Sequence, residues 1–185
     1  MNQTRRSLAI ASAALLLSPT LARSVFANPA PRAVLEASGQ ARLLGQGVLR
    51  FFGLRVYEAR LWALAGSASE LFDRELFLEL RYALSLNGVR IADRSVDEMK
   101  RIGRGSDAQH ARWGERMRSL FPDVVAGDRL LGHYVPRGPS RFFFNDRPVG
   151  LIDDPEFGPA FFGIWLDPRT SEPAMRAELL KGLGQ

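Results

Sequence analysis

The feature that most constrains the fold of this chain is the density of aromatic side chains near its carboxyl end. Seven of the eighteen aromatic residues lie between Phe142 and Trp165. The order of residues there predicts a strand, a tight turn at 145–146, a second strand and an apolar helix introduced by an Asp-Pro pair at 154–155. Three Phe and a Trp on one helix would promote aggregation in water, so this helix must pack against a surface of comparable size.

The first 27 residues have the pattern of an export signal peptide. A basic start with Arg5 and Arg6 is followed by an apolar stretch over 8–17 and by a signal-peptidase pattern of small residues. The stretch is too short for a transmembrane helix, so we expect residues 1–27 to be removed and residues 28–185 to be exported to the periplasm without a membrane span. The arginine pair also fits the twin-arginine export route, although an ordinary basic leader needs only the charge.

Length and charge narrow the class of the remaining protein. Residues 28–185 are enough for one domain with a proper core. Removal of the leader would lower the formal net charge from +5 to +2, because the leader carries three arginines and no acidic residue. A nearly balanced charge gives no reason to expect nucleic acid as a partner. Cysteine is absent, which excludes disulfides, thiolate catalysis and cysteine metal sites.

The order of the predicted elements indicates an α+β fold. Alternation and turn signals predict strands at 40–63 (a pair), 76–83, 129–135, 141–144 and 148–152. Ser95 and Glu98 form a capping box that predicts the start of a short helix, and a second helix is predicted at 108–121. A last helix should begin at Thr170 or Ser171. Short turns between the strands favour an antiparallel sheet with the helices packed on one face.

The candidate binding residues lie on or beside the first predicted strands. They are Arg50, Tyr57, Arg60, Trp62 and Tyr82. Most strand arginines should face solvent, because a charge is costly to bury. An arginine that points inward beside a tyrosine would instead place a cation in an apolar pocket, where it could bind a carboxylate or a phenolate.

Metal and cofactor motifs are missing from the sequence. His110 and His133 have no second ligand at metal-binding spacing. The acidic residues of 153–156 are explained by helix capping and by the attraction of a carboxylate to a helix N-terminus. No nucleophile elbow, phosphate-binding glycine loop or zinc-binding helix motif occurs. The sequence therefore indicates neither a metal nor a cofactor.

Four segments form a series that extends over most of the chain. They are 45–62 (GQGVLRFFGLRVYEARLW), 91–99 (IADRSVDEM), 121–128 (from Phe-Pro-Asp-Val to Gly-Asp) and 143–173 (from Phe-Phe-Asn to Thr-Ser-Glu-Pro). In this order and spacing they resemble the chalcone isomerase-like family, in its exported bacterial branch. The resemblance implies an open-faced β-sandwich, in which helices are layered on one side of an antiparallel sheet and a ligand cleft lies between them. Plant members of the family close a chalcone to a flavanone, and relatives without this activity bind fatty acids.

The resemblance also implies where the catalytic groups of the plant enzymes would fall. Their arginine falls near Leu49, with Arg50 adjacent but expected on the other face of the strand. Their threonine, tyrosine and asparagine fall at Phe52, Ile91 and Glu98. Loss of one donor that stabilises a reacting oxyanion can cost about 10²–10³ in rate. We therefore expect that the cleft is kept and that the flavanone chemistry is lost.

Three functions follow as hypotheses. The first is non-catalytic binding of a fatty acid or a similar apolar or amphipathic small molecule in the cleft. The second is an isomerase of the intramolecular lyase class that acts on a chalcone-like aromatic substrate, with Arg50 or Arg60 and Tyr57 or Tyr82 as its catalytic groups. The third is a structural partner of another envelope protein, which would show an exposed apolar patch and a cleft filled by the protein's own side chains. The oligomeric state is not specified by the sequence.

Overall fold

Six antiparallel strands form the centre of the molecule in the part that the computed structural model describes, residues 29–36, 41–64 and 71–183. The order of the strands in the sheet follows their order in the chain. They are β1 Ala41–Phe51, β2 Leu54–Leu64, β3 Leu76–Tyr82, β4 Arg129–Tyr134, β5 Ser140–Phe144 and β6 Arg147–Ile152. The predicted export leader, residues 1–27, lies outside the described residues.

Five helices accompany the sheet within these described ranges. They are α1 Arg32–Glu36, α2 Gly88–Arg101, α3 Asp107–Leu120, α4 Phe157–Leu166 and α5 Pro173–Leu179, with a 3-10 turn at Leu71–Asp73. Helices α2 to α5 contribute to the main core on one face of the sheet, which confirms the predicted α+β class. Helix α1 packs on the opposite face, where the sequence had predicted no helix. None of the helices in the described part of the chain has the length and apolar content needed to cross a bilayer.

The aromatic helix α4 lies at the centre of the main core. All of its residues except Pro159 are buried. The ring of Phe161 lies 5.3 Å, between centroids, from the rings of both Phe142 and Phe157. Burial of a side chain as large as Phe contributes about 1.5–3 kcal/mol. The sheet and helices α2 and α5 therefore supply the large packing surface that the sequence of α4 required.

The period of two along β2 assigns alternate residues to opposite faces of the sheet. Ala59, Leu61 and Ala63 face the main core under the helix layer. Arg60 and Trp62 face α1 on the other side, where Trp62 belongs to a small second core. Both faces of this strand are covered, so burial alone does not identify the face that holds the helix layer.

Helices α2 and α3 form an excursion of the chain between the neighbouring strands β3 and β4. The backbone N–H of Tyr82 donates to the carbonyl of Asp128 at 2.9 Å, and the N–H of Gly127 donates to the carbonyl of Tyr82 at 2.8 Å. The chain thus leaves the sheet and returns to it at the same point.

Helix α2 begins earlier than the sequence had predicted. Asn87 is its N-cap, and the Asn87 side chain accepts a hydrogen bond from the N–H of Arg90 at 3.2 Å. Ser95 lies inside the helix, and its hydroxyl donates to the carbonyl of Ile91 at 2.8 Å. The predicted capping box of Ser95 and Glu98 is therefore wrong, and Glu98 is available for another role.

Helix α5 packs closely on β1 at two glycines. A Cβ atom on Gly45 would lie 2.1 Å from the carbonyl oxygen of Glu178, and a Cβ atom on Gly47 would lie 2.5 Å from the sulfur of Met175. A larger residue at Gly45 would therefore displace the backbone of α5, whereas one at Gly47 would displace the Met175 side chain.

Candidate functional site

A cavity of about 660 Å³ lies between the sheet and the helix layer. Its apolar lining consists of Leu49, Phe51, Val56, Leu80, Leu84, Leu86, Ile91, Phe121, Leu130, Phe161, Ile164 and Trp165. Pockets for small organic ligands typically have volumes of about 300–1,000 Å³ and mostly apolar walls. The cavity therefore has the size and the chemistry of a small-molecule site, and the expectation of a cleft between sheet and helices is met.

The repeat of each strand or helix determines which of its residues face the cavity. The sheet contributes alternate residues that face the helix layer, such as Leu80 and Tyr82 of β3. Helix α2 contributes Ile91, Ser95 and Glu98, which are spaced by four and three residues and so share one face of the helix. The cavity is a space between regular elements and not a surface groove in a loop.

Two tyrosines line the cavity. Tyr57 and Tyr82 are direct partners across β2 and β3, and their rings meet edge to face with centroids 6.1 Å apart. The Tyr57 hydroxyl accepts a hydrogen bond from Nε1 of Trp165 at 2.9 Å. The Tyr82 hydroxyl is buried and has no hydrogen-bond partner among the described residues. A buried polar group without a partner costs about 1–3 kcal/mol.

Burial keeps both tyrosines in the neutral form. Desolvation raises the pKa of Tyr57 to about 12, although the hydrogen bond from Trp165 opposes this shift. Desolvation also raises the pKa of Tyr82, and the nearby Tyr57 adds to the shift. Both phenol groups therefore stay protonated in the folded protein at a pH at which a solvent-exposed tyrosine ionises.

Arginine side chains line the exposed part of the cavity. Nη1 of Arg50 donates to the carbonyl of Gly53 at 3.3 Å, and Nη2 of Arg94 lies 2.5 Å from Oε1 of Glu98. The guanidinium of Arg90 forms no hydrogen bond or ion pair with any residue that the structure describes, and it also lines the cavity. The mouth thus carries exposed cations, whereas the interior is apolar.

The buried carboxylate of Glu98 is held inside the protein. Besides Arg94, it accepts a hydrogen bond from the hydroxyl of Ser171 at 2.9 Å. Glu172 also lines the cavity near this point. The two carboxylates offset part of the positive charge of the arginines, and they make the Glu98 end of the wall unfavourable for an anion.

The structure brings together three of the five predicted binding residues. Arg50, Tyr57 and Tyr82 line the cavity, and their role in binding stays a prediction. Arg60 and Trp62 do not line it, because they lie on the opposite face of β2. Nε of Arg60 donates to Oε2 of Glu79 at 2.7 Å, and its guanidinium lies 4.8 Å from the centroid of the Trp62 ring. The predicted place of these two residues in the cleft is therefore corrected.

The positions of the plant catalytic groups also differ from expectation. Leu49, Ile91 and Glu98 line the cavity, but Phe52 is 91% exposed in the turn between β1 and β2. A register shift between Leu49 and Arg50 places both side chains at the cavity, so the expectation that Arg50 faces away is wrong. Of the positions that the resemblance assigned to the plant catalytic groups, Leu49 and Ile91 therefore place apolar side chains at the cavity, and Phe52 does not.

Sequence reasoning missed the contribution of Arg94 and Glu98 to the wall. Their spacing of four residues is the signal of a shared helical face. The signal was hidden because the helix was predicted to begin at Ser95, which left Arg94 outside it.

Comparisons with known proteins agree with this architecture. A sequence profile described as chalcone isomerase-like matches residues 30–181. An uncharacterized protein of Haemophilus influenzae is 27% identical over 125 residues, which are 68% of this chain and 60% of that protein. The crystal structure of a fatty-acid binding protein of Arabidopsis thaliana superposes with a TM-score of 0.61 and 13% identity, over 77% of this chain and 87% of that chain. The last likeness shows a shared fold.

Proposed function

Because this chain belongs to the chalcone isomerase-like family, we propose that it binds a fatty acid or a similar amphipathic molecule in its cavity without transforming it. The observation that carries the proposal is an apolar cavity of about 660 Å³ with exposed arginines at its mouth. The structural neighbour from Arabidopsis thaliana is titled a fatty-acid binding protein. The leader pattern of residues 1–27 supports a periplasmic location for this activity.

The proposed ligand lies with its hydrocarbon chain among Leu80, Leu130 and Phe161. Each methylene removed from water contributes about 0.8 kcal/mol, which corresponds to about a fourfold gain in affinity. The carboxylate lies at the mouth beside Arg50 and Arg90. Neither guanidinium forms an ion pair with a described carboxylate, so binding breaks no existing ion pair.

Titration with saturated fatty acids of increasing length tests the proposal. Affinity should rise about fourfold per methylene until the cavity is full, and then level off. Native mass spectrometry after mild extraction should also find bound lipid. A protein that is free of lipid, and whose thermal stability does not change with any fatty acid, would reject the proposal.

A pair of variants tests the position of the carboxylate. Arg90→Ala should weaken fatty-acid binding by about five- to tenfold, because a charge-assisted hydrogen bond is lost. The same variant should bind the matching fatty alcohol as the wild type does. Arg112→Ala removes an exposed arginine of α3 that does not line the cavity, and it should leave both affinities unchanged.

An isomerase of the intramolecular lyase class is the second candidate, and the buried hydroxyl of Tyr82 favours it. Tyr82 lines the apolar cavity, and a neutral phenol can donate to the oxyanion that forms during cyclisation of a chalcone. This candidate predicts chalcone cyclisation that falls in both Tyr82→Phe and Arg50→Ala. Cyclisation no faster than the spontaneous reaction would remove it for chalcones.

A further inference from the structure

The turn between β1 and β2 presents large apolar side chains to solvent. Phe51, Phe52 and Leu54 are 65%, 91% and 67% exposed, which makes them the most exposed large apolar residues of the described chain. The rings of Phe51 and Phe52 pack edge to face with centroids 4.5 Å apart. We call residues 50–55 the hairpin tip. Its exposed aromatic surface adds nothing to the core of the protein.

The backbone of the hairpin tip is poorly suited to a phenylalanine. Phe52 has φ 47° and Gly53 has φ 80°, so both central residues of this two-residue turn are in the left-handed region. Asn followed by Gly is the preferred pair for such a turn. The folding of the hairpin therefore does not account for Phe at position 52, and a function for the exposed ring would.

Positive charge surrounds the hairpin tip. Residues 48–57 include Arg50 and Arg55 and no acidic residue. Arg55 is paired with Glu58 at 2.6 Å, whereas Arg50 contacts only a backbone carbonyl within the described chain. Arg90 is exposed and lines the same cavity as Phe51. Exposed aromatic rings flanked by arginines are the composition of protein segments that lie at the interface of a membrane.

We propose that the hairpin tip docks on an anionic phospholipid surface. Phe52 and Leu54 enter the headgroup region, and the guanidinium of Arg50 contacts lipid phosphates. A second copy of this chain is a poorer partner, because it would bring two cationic tips together. Phe51 and Arg50 also line the cavity, so docking places the cavity mouth against the lipid. An amphipathic ligand could then pass between membrane and cavity without crossing water. The inference goes beyond the proposed function, since docking does not require a particular ligand.

Vesicle flotation tests the proposal with matched variants. The protein without its predicted leader, residues 28–185, should float with vesicles of equimolar phosphatidylcholine and phosphatidylglycerol, and it should bind pure phosphatidylcholine vesicles at least about tenfold more weakly. Phe52→Asn should reduce binding to the mixed vesicles by about tenfold or more, because a buried ring is lost. It should not lower the melting temperature, since Asn-Gly suits the turn. Leu151→Thr changes an exposed apolar residue of β6, at the other edge of the sheet, and should float like the wild type.

Several results would overturn the proposal. They are a wild-type protein that does not float, equal binding to neutral vesicles, or a Phe52→Asn variant that floats as well as the wild type. A dimer in light scattering that Phe52→Asn dissociates would also overturn it and would assign the tip to contact between two copies.

The failure of docking can be distinguished from the failure of the cavity function. Phe52 does not line the cavity, so Phe52→Asn should bind fatty acids in solution as the wild type does. Flotation without fatty-acid binding would keep the docking proposal and reject the cavity ligand. Fatty-acid binding without flotation would keep the cavity ligand and reject the docking proposal.

Discussion

One buried polar side chain on each face of the sheet differs from the other in whether it is hydrogen-bonded within the protein. On the face toward α1, the guanidinium of Arg60 and the carboxylate of Glu79 are buried and bonded to each other at 2.5 Å. On the face toward the helix layer, Tyr82 lines the cavity, and its hydroxyl is buried without a partner in the described ranges. A buried polar group that is bonded within the protein stabilises one structure, whereas an unbonded one beside a cavity can be bonded by a ligand. Burial of a charged residue is therefore weaker evidence for a binding site than the state of its partners.

Polar contacts on the face toward α1 also attach the amino-terminal segment to the sheet. Nη2 of Arg60 donates to the carbonyl of Pro29 at 3.2 Å. Arg129 lies 3.7 Å from Glu79 and also pairs with Asp146, which accepts a hydrogen bond from the N–H of Arg32 at 3.1 Å. These contacts extend from β2 to the start of α1, so the charges on this face have a structural explanation.

The largest effect is expected from breaking the buried ion pair between Arg60 and Glu79. Arg60→Met leaves the buried carboxylate of Glu79 without its main partner, which should lower the free energy of unfolding by about 3–5 kcal/mol in urea denaturation. Fatty-acid affinity should not change, because Arg60 does not line the cavity. Arg55→Met, which breaks the exposed pair with Glu58, should cost less than about 1 kcal/mol. Equal losses in the two variants would contradict the contrast between the faces.

Alkaline pH should act mainly on the cavity face. Below pH 10.0, the ordinary pKa of tyrosine, Tyr57 is neutral in both the folded and the unfolded state. Above it, only the unfolded state ionises until pH nears about 12, so stability falls by about 2–3 kcal/mol across this window. Urea denaturation at increasing pH should show a smaller fall in Tyr57→Phe. An identical fall in this variant would show that the Tyr57 site does not exclude the ionised form.

Filling the cavity should separate binding from stability. Ile91→Trp places a larger side chain into the empty space, which should weaken fatty-acid binding by at least tenfold, or about 1.4 kcal/mol, in a titration. The free energy of unfolding should stay the same or rise, because the space is available. Val89→Trp changes an exposed residue of the same helix that does not line the cavity. Unchanged affinity in Ile91→Trp would place the ligand elsewhere.

The smallest effect compares two buried tyrosines that differ in their bonding. The hydroxyl of Tyr134 donates to the carbonyl of Phe72 at 2.9 Å, so Tyr134→Phe should cost about 1 kcal/mol. Tyr82→Phe removes a hydroxyl that bonds to no described residue, so the ligand-free protein should be equally stable or slightly more stable. Calorimetry without ligand would measure both changes. A clear loss of stability in Tyr82→Phe would mean that this hydroxyl is bonded in solution.

The sequence predicted the bounds of the strands better than it predicted which strand residues face the helix layer. The alternation of 76–83 and the turns after 129 placed β3 to β6 within a residue or two, because side-chain period and turn chemistry are local signals. The same alternation does not say which face meets the helices. Arg60 was therefore predicted as a binding residue of the cavity, although it lies on the other face of the sheet, which α1 covers.

Long-range contacts explain the other differences at the site. The start of α2 depends on Asp123, which accepts hydrogen bonds from the side chain of Asn87 and from the N–H of Gly88. A capping motif at Ser95 competes with this start in the sequence, and no local rule decides between them. The register shift beside Arg50 likewise depends on how β1 pairs with β2. The place of Tyr57 and Tyr82 at the cavity could be predicted from the sequence, because both residues lie on regular strands.

The point at which the chain leaves the sheet after Tyr82 and rejoins it at Gly127 has an evolutionary consequence. We call the segment between them, which holds α2 and α3, the helical cassette; its two ends lie side by side at the sheet, and its helices pack on α4 and β6. Substituting this cassette from a relative would replace Arg90, Ile91 and Glu98 together and leave every strand pairing in place. Members of the family could thus acquire new ligand preferences through changes in this one segment of the cavity wall.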